Sequence, residues 1–163
     1  MAKPSGTGRE DPTTIAPAVA AAFIEGVVAE LASGARAKPF VPNREWASGF
    51  PDKGGVYAIF QSGEIIYVGE TGLLSERMID LLESRHHCFR RSFGQSLFST
   101  RPDFVAASTK KRFPDAIETL LNERMSADLM VTCVPLVIGR KEVEEAVIAS
   151  RKPTFNIKQG RGN

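Results

Sequence analysis

Two tyrosines, an arginine, a glutamate and several short basic runs are the side chains of this sequence whose types and spacing could do chemistry. Tyr57 and Tyr67 lie in the stretch 55–69, GVYAIFQSGEIIYVG, each close to a glycine. A buried tyrosine ring leaves a hydroxyl in need of a partner, so two tyrosines in one otherwise aliphatic stretch form either a satisfied core pair or a site. Further on, helical periodicity over 141–152 gathers Val143, Ala146, Val147, Ile148 and Ser150 on one arc and places Glu144 inside it, while Glu142 and Glu145 point away. A carboxylate in an apolar stripe must be ion-paired, here to Arg77 or Arg151, or protonated, or bound to a metal, because an isolated buried charge is too costly. Basic clusters at 85–91 (containing Arg90 and Arg91 with His86 and His87), 110–112, 140–141 and 152–161 have the charge to contact phosphates or to form a solvated surface.

The elements that must position these residues follow from local pattern. Residues 55–60 and 64–69 are rich in Val, Ile, Tyr and Phe and too short for helices, and Gln61-Ser62-Gly63-Glu64 has turn chemistry, so the stretch is a β-hairpin with Tyr57 and Tyr67 on adjacent strands. A helix over 74–84 carries Leu74, Met78, Leu81 and Leu82 on one stripe and Arg77 on its border, from which an arginine can reach over the sheet edge. A turn and a short basic helix over 86–98 come next. Pro114-Asp115 starts a helix to about 126, burying Ile117, Leu120 and Leu121. Residues 129–138 form a third strand, and Pro135 within it indicates an edge or a bulge. Upstream, Thr14 is suited to cap a helix running to about 32, whose face of Val19, Phe23, Val27 and Leu31 braces the domain. Residues 38–54, with three prolines and two glycines, read as a connector, and 1–14 as a disordered tail.

Length and composition allow one domain with an appendage. The chain has 163 residues, 42% of them hydrophobic and 25% charged, as in ordinary globular proteins. No apolar segment approaches the length of a membrane span, and the run 15–28 lacks the charge order and cleavage site of a signal peptide, so an intracellular, cytoplasmic protein is expected. Cys88 and Cys133 stand far apart, without metal-ligand spacing, and read as reduced thiols. The net charge of +2 leaves partners open, but residues 1–54 carry six basic and six acidic side chains and residues 55–163 fifteen and thirteen, so the slight excess sits in the later part.

These residues together resemble the GIY-YIG nuclease family. Gly55-Val56-Tyr57 stands for GIY and Tyr67-Val68-Gly69 for YIG. Arg77 follows Tyr67 by ten residues, where the family has its catalytic arginine. Glu144 precedes Pro153 by nine and Asn156 by twelve, as in the nuclease subunit of bacterial excision repair, and His87 is similar to a histidine of homing-type members. The resemblance runs over 55–156. It implies an α+β fold with a small three-stranded mixed or antiparallel sheet flanked by helices, here with an added N-terminal helix: a tail at 1–14, helix and connector at 15–54, and the nuclease-like domain at 55–163. It also implies an endonuclease that hydrolyses DNA phosphodiester bonds in repair, recombination or defence. Glu144 would hold one Mg²⁺, or Mn²⁺, and Tyr67 would be the general base or would orient the attacking water. Arg77 would stabilise the transition state, Tyr57 would support from the next strand, and His87 and Asn156 would orient phosphate or base. The alternative is a nucleic-acid-binding or interaction module on the same fold that cleaves weakly or not at all. Glu70, directly after Tyr67-Val68-Gly69, either opposes Tyr67 deprotonation and repels phosphate or helps hold the metal.

Overall fold

The hairpin is the centre of the molecule. In the computed structural model, which describes residues 15–156, β2 (Gly55–Gln61) and β3 (Glu64–Thr71) pair antiparallel across a two-residue turn. Both turn residues have positive φ, 52° at Ser62 and 81° at Gly63, the conformation whose twist matches a right-handed hairpin. β4 (Leu129–Pro135) adds antiparallel to the other side of β2, and β1 (Lys38–Pro39) adds antiparallel to β4. The sheet is therefore four-stranded and wholly antiparallel in the order β1-β4-β2-β3. Three strands were expected from the sequence; the fourth is a two-residue strand ending in proline, too short to give a periodic signal. The tail expected at 1–14 lies outside the described residues.

Helices cover both faces. Val56, Ala58, Phe60 and Val68 point to α1 (Pro17–Ser33) and α6 (Arg140–Arg151), where they meet Val27, Leu31, Val143 and Val147. Tyr57, Ile59 and Tyr67 point to the other face, which is closed by α2 (Arg44–Ser48), α3 (Leu74–Asp80), α4 (Cys88–Phe98) and α5 (Asp115–Asp128). The α2 helix lies in the stretch read as a connector. Its Asn43 side chain caps it by accepting the Trp46 N–H at 2.8 Å, and Trp46 packs edge-on between Phe40 and Phe50.

One residue decides which face Tyr67 takes. Ile59 pairs with Tyr67 but Phe60 pairs with Ile65, so Ile66 is an extra residue in β3. Strict alternation would give Ile65 and Tyr67 the same face. The bulge breaks that phase: Ile65 packs with the α1/α6 face and Tyr67 joins Tyr57 on the opposite one.

The outer strands differ from expectation in detail. Leu129 O accepts from Phe40 N on the β1 side. By alternation the nitrogen of Pro135 faces that same side, beyond the end of β1, so its missing N–H removes no ladder bond. Of the expected α1 face, Val27 and Leu31 are buried, but Val19 and Phe23 are 61% and 49% exposed. The first turns of α1 overhang the sheet, and with Ile15 and Ile138 they line an open apolar groove of about 370 Å³. Helix α1 begins at Pro17 with Ala16 in the cap position, and Thr14, expected to cap it, lies outside the described residues.

Candidate active site

Register places the two hairpin tyrosines. Tyr57 is opposite Gly69, and its ring lies over that glycine so closely that a Cβ there would sit 2.4 Å from the Tyr57 hydroxyl oxygen. A glycine at 69 is thus a steric requirement for a tyrosine at 57. Tyr67, one pair further along, has its ring centroid 6.0 Å from that of Tyr57. Tyr57 is fully buried and Tyr67 nearly so.

Two donors converge on the Tyr57 oxygen. Arg77, on α3, donates through Nε at 3.2 Å, and His87 contacts it through Nε2 at 2.8 Å. His87 caps α4, its Nδ1 accepting the Phe89 N–H at 3.2 Å. A ring nitrogen that accepts cannot carry the proton, so the neutral ring bears it on Nε2 and donates to Tyr57. Burial, reinforced by the positive charges of Arg77, Arg91 and Arg90, holds His87 well below the usual histidine value, so it is neutral. Burial pushes the Tyr57 hydroxyl up to about 12 against the pull of Arg77. Burial, then Tyr57 and Cys88, drives Tyr67 higher still. Burial works against the Arg77 charge, but Tyr57 more than offsets it and the guanidinium stays firmly protonated. Arg77 Nη1 reaches Asp80 Oδ2 at 3.3 Å and the His86 carbonyl at 3.4 Å, and no hydrogen bond among the described residues takes its Nη2. The cluster is thus two protonated phenols, one neutral imidazole and one fixed cation.

The other sequence-selected residues fall in three places. Glu144 is half-buried on α6, and no ion pair among the described residues joins it to Arg77 or Arg151. Burial pushes its carboxyl above the usual range. The Glu70 and Glu145 carboxylates add to this, while the Glu70 backbone N–H and Lys141 oppose it. Glu70 pairs with Val56 in the hairpin register and so shares the α1/α6 face rather than that of the tyrosines. No hydrogen bond or ion pair among the described residues links Glu144 to Tyr57, Tyr67, Arg77 or His87.

Asn156 lies beside β3, its Oδ1 accepting from Val68 N at 2.8 Å and its Nδ2 donating to Val68 O at 2.7 Å. Both ends of its amide are therefore engaged with backbone rather than facing a substrate. Arg90, expected to bind substrate, is instead a core residue with no exposed surface. Its Nη2 meets Glu118 at 2.5 Å and Asn122 at 2.7 Å, and its Nε meets Glu118 at 3.1 Å. Arg91 turns back onto the carbonyls of Ser84 and Arg85 at 2.9 and 2.8 Å.

The sequence marks Cys88 as a reduced thiol and not as a site residue. It is the first residue of α4, exposed, and its Sγ lies 3.3 Å from the Tyr67 hydroxyl. Its position directly after His87 was the available signal.

No described group of three or more His, Cys, Asp or Glu could hold a metal ion, and no described helix is long and apolar enough to cross a membrane. No protein-family model and no curated protein matches the chain. The chain is similar to two solved structures of the GIY-YIG N-terminal endonuclease domain of UvrC from Thermotoga maritima, both point mutants bound to a catalytic divalent cation, with 18% and 17% identity, 71% of this chain and 94% of each of those covered, and a TM-score of 0.40 in both cases.

Proposed function

We propose that this protein is a metal-dependent endonuclease of the GIY-YIG type that hydrolyses DNA phosphodiester bonds. The observation that carries the reading is the convergence of Arg77 and His87 on the Tyr57 hydroxyl, with Tyr67 brought to the same face by the bulge at Ile66. Phosphodiester hydrolysis needs an oriented water and a cation to take up charge developing on the phosphate. Arg77, fixed through Nε, offers the Nη2 edge of its guanidinium for that charge. Burial pushes the Tyr67 hydroxyl well up, which favours its orienting the attacking water by hydrogen bonding over its acting as the general base.

The donor set fits a hard divalent cation. Glu144 is a half-buried carboxylate that forms no ion pair among the described residues and has a second carboxylate, Glu70, beside it, an arrangement that a bound cation relieves. Such an ion accepts one or two protein carboxylates and completes its shell with water and phosphate oxygens. Glu144 would hold it, with Glu70 in support, and when bound the ion neutralises phosphate charge.

The test is incubation of the purified protein with branched, nicked and supercoiled DNA under Mg²⁺ or Mn²⁺, beside Glu144→Ala and Tyr67→Phe. Cutting that both variants lose supports the reading; cutting that survives in Glu144→Ala overturns it. The second reading, a nucleic-acid-binding module with weak or no cleavage, draws on the lack of any bond between Glu144 and the tyrosine cluster. Salt-dependent binding without cutting by the wild type would favour it. Repair, recombination and defence are all roles compatible with such an enzyme.

A further inference from the structure

A phosphate-binding enzyme needs cations with donors to spare, and the arginines first expected to serve are engaged elsewhere. Arg90 is sealed in the core with Glu118, and Arg91 is spent on two backbone carbonyls. At the Glu144 end of the hairpin one guanidinium stands differently. Arg140 opens α6 directly after Gly139, whose φ of 79° turns the chain into the helix. Its Nε donates to Glu70 Oε2 at 3.1 Å and its Nη1 reaches the Val137 carbonyl at 3.4 Å, while no hydrogen bond among the described residues takes Nη2. Its side chain is 32% exposed, and its Nη1 lies where a Cβ on Gly54 would come within 2.7 Å, so the guanidinium is pressed against backbone. Arg140 pairs with the Glu70 carboxylate, and that carboxylate lies near enough to Glu144 to help raise its pKa. An arginine immobilised by a carboxylate, with one donor edge left facing solvent, is pre-organised for an anion at little further loss of side-chain freedom.

We infer that Arg140, held in place by Glu70, is a substrate-binding residue that contacts a backbone phosphate of DNA next to the Glu144 site. This rests on the nuclease reading above and extends it to a residue of α6.

The experiment measures DNA binding by fluorescence anisotropy with a duplex and a branched probe in EDTA, so that no cleavage intervenes, across a salt series. Wild type, Arg140→Gln, Arg140→Lys, Glu70→Gln and the Glu70→Gln/Arg140→Gln double variant are compared, with thermal melts confirming that each is folded. A single phosphate contact contributes about 0.9 to the slope of log K against log salt, so between about 50 and 200 mM salt the wild type should lose about 3.5-fold more affinity than Arg140→Gln. Arg140→Lys should keep the wild-type slope. Glu70→Gln removes a negative charge in either background but loosens the guanidinium only where Arg140 is present, so the change should favour binding less with Arg140 present than in the double variant. An ion pair that merely braced the hairpin against α6 would shift the melts and leave the slope alone. If Arg140→Gln is unstable, the lysine and Glu70 variants carry the test: a lysine variant with a reduced slope, or an effect of Glu70→Gln that is the same with and without Arg140, overturns the inference. Equal slopes for wild type and Arg140→Gln overturn it also, while cutting by the wild type would leave the nuclease reading standing. Absence of any DNA binding by the wild type overturns both.

Discussion

The Tyr57 hydroxyl is where single residues matter most. Its position requires the empty space over Gly69, so Gly69→Ala must displace the tyrosine ring or the strand. The expected result is a loss of about 1–3 kcal/mol in urea unfolding, the range for overpacking a filled core. Glu144 behaves in the opposite sense. Its folded-state pKa is raised, so its ionised form at neutral pH is less favourable in the folded protein than in the unfolded chain. Glu144→Gln should therefore melt at or above the wild-type temperature in EDTA while abolishing metal-dependent cutting; a clear drop in melting temperature would mean that the carboxylate is structural. Part of this was legible in the sequence. The tyrosines, Arg77 and Glu144 announce themselves through strand pairing and helical phase, which are local. The fates of Arg90 and Asn156 were not legible, because their partners Glu118 and Val68 lie 28 and 88 residues away and no local pattern encodes them. A basic cluster reads the same whether its members face solvent or the core.

At the scale of elements, the face opposite α1 and α6 is held by a polar contact between two helices. Arg90 on α4 and Glu118 on α5 are both buried, with Ser84 donating to the same carboxylate and accepting the Phe113 N–H. Glu118→Ala would leave the guanidinium buried without its counter-charge, and a loss of about 3–5 kcal/mol in denaturant unfolding is expected. Replacing both partners with apolar residues of similar volume should recover much of it, because the pair's own net contribution is small. The β1 and α2 elements were missed in the sequence for a related reason. Each is too short for a periodic signal, and each depends on contacts with residues elsewhere, Val131 for β1 and the Phe40 and Phe50 rings for α2. The bulge at Ile66 is likewise a property of the pairing between two strands and not of either strand alone.

For the molecule as a whole, His87 sets a limit on acid stability. The folded protein keeps it neutral, and the unfolded chain titrates near the ordinary value of 6.5. Above that value both states carry a neutral ring and nothing is gained or lost. Below it the unfolded chain binds a proton that the folded protein refuses, so stability falls with decreasing pH, by up to about 1.4 kcal/mol per unit. Unfolding midpoints measured between about pH 5 and 8 should show this slope, and His87→Gln should flatten it.

The two borders of the sheet carry a consequence for association. A four-stranded open sheet presents two rows of backbone groups on which a strand from another molecule could grow. On one border, Asn156 offers Val68 a donor and an acceptor in the spacing of a neighbouring strand, and Phe155 N adds a bond to Ile66 O, so a side-chain amide and a turn stand in for a fifth strand. On the other, beyond β1, the proline at 135 has no N–H to offer. Asn156 thus blocks strand addition along β3, and Asn156→Ala should unblock that border, speeding amide exchange at Val68 and promoting concentration-dependent aggregation under conditions where the wild type stays dispersed.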